Sequence, residues 1–311
     1  MTITQLQYLV ALDDFRHFAN AAIHCCVTQP TLSMQIQKLE EELGAKIFDR
    51  NKQPVFPTEI GLLVLAQARI VLREAGLIEQ LVSNEKKILA GDLRIGIIPT
   101  LAPYLLPPLF KLIQKKYPQI NLIVKETITE EVIRELKFNR LDCGLVVTPL
   151  KDNAIQEDPL FYEEILAYVS KKNNLHQKKY VLPSEIDPQQ LWLLEEGHCF
   201  RSQVLNICEL QNKINPRIKY KTGNIETLKR MVDISDGITL LPELAVKEFS
   251  KTQMKQVRQF KEPRPAREVS LVSHRNLLKP ALMEILKNEV LSIIPLTMQN
   301  PTQKRIIDLF E

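Results

Sequence analysis

VTQPTLSMQIQKLEEELG, residues 27–44, decides how the N-terminal part of the chain is read. Thr28 is a helix-capping residue type, and Pro30 falls in the first turn, where a missing N–H costs nothing. Gly44 supplies the left-handed stop. Leu32, Ile36, Leu39 and Leu43 are spaced 4, 3 and 4 apart, which predicts one buried stripe on a helix. Ser33, Gln35 and Lys38 fall outside that stripe and are expected to face outward. Upstream, apolar residues recur from Leu6 to Ile23 and predict more helix, which HCC (His24–Cys26) interrupts. Two short helices joined by a tight turn form a helix-turn-helix pattern, whose second helix suits the major groove of DNA. Thr28, Gln29, Pro30, Thr31, Ser33, Gln35 and Lys38 are its candidate DNA contacts. DRNKQPVFPT (residues 49–58) reads as a hairpin wing that brings Arg50 and Lys52 to a phosphate backbone. At this stage an ordinary helical subdomain explains the same pattern.

Residues 59–89 continue as one long helical pattern. Ile60, Leu63, Ile70, Leu77 and Leu81 recur at near-heptad spacing, as a seam for a partner helix does. The alternative is a long helix packed on its own domain. From AGDLRIGIIP onward the rhythm changes. Short apolar strands at residues 93–98, 120–126 and 142–147 alternate with the helical stretches PPLFKLIQKKY and EEVIRELKFN. This predicts an α/β unit with a mostly parallel sheet. EILAYVSK (residues 164–171) reads as a crossing strand into a second α/β unit that begins near Leu191. REVSLVSHR (residues 267–275) returns to the first unit, and LLKPALMEILKNEVL is a terminal helix. Two such lobes leave a cleft at the strand ends. The domains are therefore 1–58, 59–89 and 90–311.

The chain of 311 residues is 45% hydrophobic and 25% charged, with a net charge of +4, which fits an ordered multidomain protein. Over residues 1–90 there are 9 Lys and Arg against 10 Asp and Glu, a net of −1, so DNA binding there must rest on local placement of charge, on helix ends and on dimerisation. No apolar run spans a bilayer, and the N-terminus lacks the basic region of a signal peptide. A cytoplasmic protein with no membrane association is expected. The five cysteines are an odd number, and an intracellular chain keeps its thiols reduced.

VTQP followed by TLSMQIQKLEEELG resembles the recognition helix of the LysR-type transcriptional regulators. The order of winged domain, linker helix and two-lobed domain resembles that family over essentially the whole chain. IIPTLAPYLLP, GHCFRSQVLNIC (Gly197–Cys208) and GNIETLKRMVDISDGITLLP resemble its peroxide-sensing members. The resemblance implies an N-terminal winged helix-turn-helix, a linker helix and a periplasmic-binding-protein-like α/β regulatory domain. It implies that Cys199 is the peroxidatic thiol and Cys208 the resolving one. Thr100, Thr129, His198 and Arg201 are implied to surround the peroxide, with Arg267 as a further neighbour. The implied partners are double-stranded promoter DNA, RNA polymerase, a second copy in a homodimer, and a homotetramer built from two dimers. Glutaredoxin or thioredoxin is implied as the reductant. No cofactor or metal is expected, and the protein is not expected to be an enzyme. The wing departs from the family in being less basic, and Thr28 stands where serine is common.

If residues 199–208 form one helix, nine steps of 100° place the two thiols on opposite faces, separated by about 13.5 Å. A disulfide needs Cα atoms within about 7 Å. Any pairing must therefore unwind or slide the helix, and one covalent bond would bias a two-state element. Cys199 at a helix start is expected to be the more reactive, with Arg201 adding charge and His198 handling a proton. Read without the family, the two cysteines are equally well buried apolar residues. A zinc site from His198, Cys199 and Cys208 lacks compact spacing and a fourth ligand. Cys143, Cys25 and Cys26 read as packing residues, and Trp192 as a core anchor of the second lobe. Three other functions compete. A metabolite sensor would use Thr100 and Thr129 in the cleft and be indifferent to Cys208. A thiol peroxidase would leave the DNA-reading and dimer elements unexplained. A solute carrier would need an export signal.

Overall fold

The computed structural model describes residues 1–50, 54–85, 90–209, 223–275, 279–302 and 304–308, with backbone alone at 73, 77 and 79–85. It divides into two units, Met1–Ile88 and Leu89–Glu311.

In the first unit, α1 (Ile3–Phe15) begins on a capping box in which the Thr2 side chain accepts from the Gln5 N–H. α2 (Phe18–His24) leads through a turn, with Cys26 at a positive φ, into α3 (Gln29–Leu43). Thr28 caps α3 as its sequence predicts, accepting from the Thr31 N–H, which stabilises the helix by about 1 kcal/mol. Gly44 closes it at φ 65°, a conformation that favours glycine. Leu32, Ile36 and Leu39 are fully buried against α1 and α2, each stabilising by about 1.5–3 kcal/mol. Leu43 corrects the predicted stripe. It is 42% exposed, because the last turn runs past the edge of the small core. β1 (Phe48–Asp49) and β2 (Phe56–Pro57) pair antiparallel as the wing. α4 (Glu59–Glu85) follows. Its inner face buries Leu65 and Ala68, and Arg69 is held by Asp13 and Asp14 of α1 at 2.7 and 2.6 Å.

In the second unit, β3 (Gly91–Ile97), α5 (Ala102–Lys116), β4 (Ile120–Glu126), α6 (Thr129–Lys137) and β5 (Cys143–Thr148) build the parallel part of lobe one. α5 starts five residues before the predicted Pro107, so Pro107 and Pro108 lie inside it. β6 (Ile155–Val169) is the crossing strand, and it is much longer than its sequence suggests. β7 (Tyr180–Val181), β8 (Leu191–Trp192), α7 (Cys199–Ile207), α8 (Ile225–Ile234), β9 (Ile238–Pro242), α9 (Lys251–Met254) and β10 (Val257–Phe260) make lobe two. β11 (Arg264–His274) returns to lobe one, followed by α10 (Pro280–Ile293) and β12 (Lys304–Ile306).

The sheet runs β4-β3-β5-β11-β6 in lobe one, and β6 continues into lobe two between β9 and β10. β11 is antiparallel to both β5 and β6, so the sheet is mixed where the sequence suggested mostly parallel pairing. β6 pairs with β11 up to Glu164, then with β9 from Ile165. That change of partner is the hinge between two separate apolar cores. No helix among the described residues is long and apolar enough to cross a membrane.

Candidate functional site

α7 begins where the chain leaves lobe two's sheet and turns at Gly197, whose φ of 92° favours glycine. His198 is the N-cap, so Cys199 opens the first helical turn, where free backbone N–H groups favour an anion. Cys208 is the C-cap of the same helix, and both thiols are free. Nine residues of unbroken helix separate their Cα atoms by about 13.5 Å. Cys199 packs against the core of lobe one, and Cys208 is buried in the core of lobe two. The helix thus also separates His198 and Cys199 from Cys208, which removes the three-residue zinc alternative.

Cys199, His198 and Gly197 line a narrow cavity with Ile98, Pro99, Thr100, Ile128 and Thr129, closed too tightly in this conformation to hold a water molecule. Thr100 closes the loop after β3, and Thr129 opens α6. Three of the four residues first predicted around the peroxide, Thr100, Thr129 and His198, are thereby brought to the thiol. The Thr129 hydroxyl is buried, and within the protein it is directed at Cys199, whose thiolate it favours. Thr100 Oγ1 accepts from Arg267 Nη1 at 2.8 Å, and the Thr100 carbonyl accepts from Nη2 at 3.2 Å. His198 is buried, with Nε2 3.8 Å from Glu195 Oε1.

Arg201 is a correction. Its Nη1 donates to the Leu194 carbonyl at 2.8 Å, and it does not line the cavity. Two residues along a helix is a rotation of about 200°, which turns the guanidinium away from the thiol. The cation that acts on Cys199 is Arg267, which is fully buried and lies 5.2 Å over the Phe200 ring. Burial pushes the Cys199 thiol above its ordinary range. The Arg267 charge, the nearby Thr129 hydroxyl and the Phe200 N–H oppose that rise, and Glu130 adds to it. Cys208, with burial as its cause, is pushed up to about 12. Cys143 is likewise raised by burial and sits in lobe one's core, a packing position. Cys25 is raised by burial and by its neighbour Cys26. Trp192 is half-buried against the core of lobe two, donating from Nε1 to Ser235 Oγ at 3.2 Å.

On the first unit, Thr28, Gln29, Pro30 and Lys38 are exposed, while Thr31, Ser33 and Gln35 are half-buried. The Gln35 side-chain oxygen Oε1 accepts from Gln5 Nε2 at 3.3 Å, and the Thr28 and Thr31 hydroxyls bond each other at 2.8 Å. Arg50 is engaged inside the unit. It pairs with Glu40 at 2.9 Å and covers the Phe18 ring at 5.5 Å. Lys52 lies outside the described residues. On α4, Ile60, Leu63 and Ile70 are exposed, joined by Ile78, which the heptad count passed over. At 100° per residue these four fall within one face of about 80°. The side chains of Leu77 and Leu81 lie outside the described residues.

Sequence reasoning missed Glu40 and Glu163. Glu40 accepts the Ile47 and Phe48 N–H groups at 2.8 and 3.2 Å and so fastens the wing to α3. Glu163 pairs with Arg267 Nη2 at 2.7 Å, both side chains fully shielded. Neither stands out in its segment, since Glu40 lies in the acidic run EEE (Glu40–Glu42) and Glu163 in a strand that carries other acids.

Comparison with known proteins agrees with this architecture. Residues 3–62 match the bacterial regulatory helix-turn-helix protein family of the lysR type, and residues 87–291 match the LysR substrate binding domain. A hydrogen peroxide-inducible genes activator of Haemophilus influenzae is 38% identical, over 88% of this chain and 90% of that protein. The DNA-binding transcriptional dual regulator OxyR of Escherichia coli K12 is 36% identical over 88% and 89%. Full-length OxyR C199D from Pseudomonas aeruginosa superimposes with a TM-score of 0.82 at 33% identity, covering 93% of this chain and 94% of that one. Reduced OxyR from Porphyromonas gingivalis gives 0.63 at 33% identity over 70% and 100%. The chain belongs to the LysR family of bacterial helix-turn-helix regulatory proteins.

Proposed function

We propose that this chain is a peroxide-responsive transcription regulator of the cytoplasm, activating antioxidant genes through a reversible Cys199–Cys208 disulfide. One observation carries the reading: two free thiols stand at opposite ends of one nine-residue helix, Cys199 packed against the core of lobe one and Cys208 buried in that of lobe two. The names of the similar proteins, peroxide-inducible activators among them, point the same way.

The chemistry proceeds in two steps. The Cys199 thiolate attacks one peroxide oxygen, the O–O bond breaks, and hydroxide leaves, giving the sulfenic acid. The Cys208 thiol then displaces water from that sulfur, which closes the disulfide. A cellular dithiol of the glutaredoxin or thioredoxin kind restores both thiols. The Thr129 hydroxyl, beside the Cys199 sulfur, supplies a donor for a peroxide oxygen, and Thr100 and Arg267 fix the wall beside it. The crevice beside Cys199 is too narrow to seat a metabolite-sized ligand against the thiol, which favours a two-oxygen substrate at that position. Because about 13.5 Å separates the thiols on an intact helix, closing the bond requires α7 to unwind. α3 reads promoter DNA, the exposed face of α4 joins two copies, and two dimers form the tetramer that engages RNA polymerase. Oxidation serves as a signal and not as turnover.

The test treats the reduced full chain with stoichiometric peroxide, followed by peptide mass mapping and promoter footprinting on the same samples. A Cys199–Cys208 linkage with an altered footprint is expected. A complete linkage with an unaltered footprint separates the chemistry from regulation and defeats the proposal.

A further inference from the structure

Glu163 is a buried acid that the thiol chemistry does not consume. It sits on β6 directly opposite Arg267 on β11. Glu163 Oε2 accepts from Arg267 Nε at 2.8 Å and from Nη2 at 2.7 Å. Its other oxygen, Oε1, accepts the Leu244 backbone N–H at 2.7 Å. Leu244 follows β9 of lobe two while its side chain packs in the core of lobe one, and Glu163 lies two residues before β6 exchanges β11 for β9. The remaining Arg267 donors reach Thr100, and its guanidinium covers Phe200, the residue after Cys199. One carboxylate thus spans from the hinge of the lobes to the wall of the thiol cavity.

We infer that Glu163 is a positioning residue for the peroxide reaction: it aims the Arg267 guanidinium at Thr100 and the Cys199 cavity and ties that aim to lobe two through the Leu244 N–H. The inference rests on the peroxide-sensing reading. Glutamine carries one acceptor oxygen where the carboxylate carries two, so E163Q cannot hold both Arg267 and Leu244 as they are held here. A guanidinium displaced by about 1 Å from a reacting group costs up to about a hundredfold in rate.

The experiment follows Cys199 oxidation by hydrogen peroxide in the full chain, using a sulfenic-acid trap and mass spectrometry. The proteins are wild type, E163Q, E163D, R267Q and E163Q/R267Q, each first shown folded by thermal melting. E163Q is expected to slow oxidation at least about tenfold. E163Q should add nothing further once Arg267 has been replaced, because coupled residues are not additive. E163D, which keeps both acceptor oxygens, should recover part of the rate. A folded E163Q oxidised at the wild-type rate overturns the inference, and so does an undiminished loss in the R267Q background. If R267Q, with its unpaired buried carboxylate, fails to fold, E163Q is compared with the double variant, which buries no charge. Equal rates support the inference, and a much slower double variant overturns it. A wild type inert to peroxide removes the sensor reading itself, whereas a reactive wild type with an unaffected E163Q removes this inference alone.

Discussion

Thr129 places a buried hydroxyl beside Cys199, where it favours the thiolate. Thr129→Val should keep the fold, with stability within about 1 kcal/mol of wild type, measured by urea unfolding. The same variant should slow peroxide oxidation of Cys199 by about tenfold or more. A second prediction concerns pH. Burial holds Cys199 above the ordinary thiol range despite Arg267 and Thr129, so neutral pH populates mostly thiol. Only the thiolate attacks peroxide. The stopped-flow rate should climb by up to about tenfold per unit between pH 6 and 9, and a flat profile would count against the site as described. At this scale the sequence was a partial guide. Thr100, Thr129 and His198 were legible through the family resemblance. Arg201 was misread because sequence proximity ignored the 200° turn of the helix, and Arg267 contributes from 66 positions downstream, on another strand. Glu163 was hidden because nothing local reveals that a strand acid will find a buried arginine.

Among the elements, those that depend on local rules matched their expectation closely. Thr28, Pro30 and Gly44 bound α3 by capping chemistry alone, and the wing followed from a turn-rich segment. β6 was under-read because IQEDPLFYEE carries acids and a proline in a strand whose pairing with β11 is long-range. α5 was misjudged for the opposite reason, since Pro107 looked like a helix start and lies inside the helix. α4 presents Leu63 at 69% and Ile78 at 67% exposure on the face that also holds Ile60 and Ile70. Leu63→Glu with Ile78→Glu should raise the dimer dissociation constant by about tenfold or more, followed by sedimentation. The arrangement of the inner face, with Leu65, Ala68 and Arg69 buried on α1, should preserve folding of the unit, checked by circular dichroism. An unchanged dimer would assign the seam elsewhere. α7 is held at its far end by Gln203 and Asn206, whose amides donate to the Ile307 and Asp308 carbonyls at 3.2 Å. The unwinding proposed for oxidation would strain those bonds and so carry the change from the thiols to the C-terminal segment beside β11.

Across the whole molecule, the account requires that a chemical event at Cys199 alter a backbone element large enough to be read at a distance. Cys199 packs against the core of lobe one, whereas Phe200, Val204, Ile207 and Cys208 belong to the core of lobe two, so α7 cannot draw the two thiols together and keep all of these contacts. The proposed Cys199–Cys208 bond would therefore exchange packing in at least one core for a covalent link, the kind of two-state element through which a local change acquires a global effect. Amide hydrogen exchange of the full chain, before and after stoichiometric peroxide and paired with disulfide mapping, tests this directly. The account predicts that the linked form loses protection across residues 199–208. A complete Cys199–Cys208 linkage with that segment protected as before would contradict it.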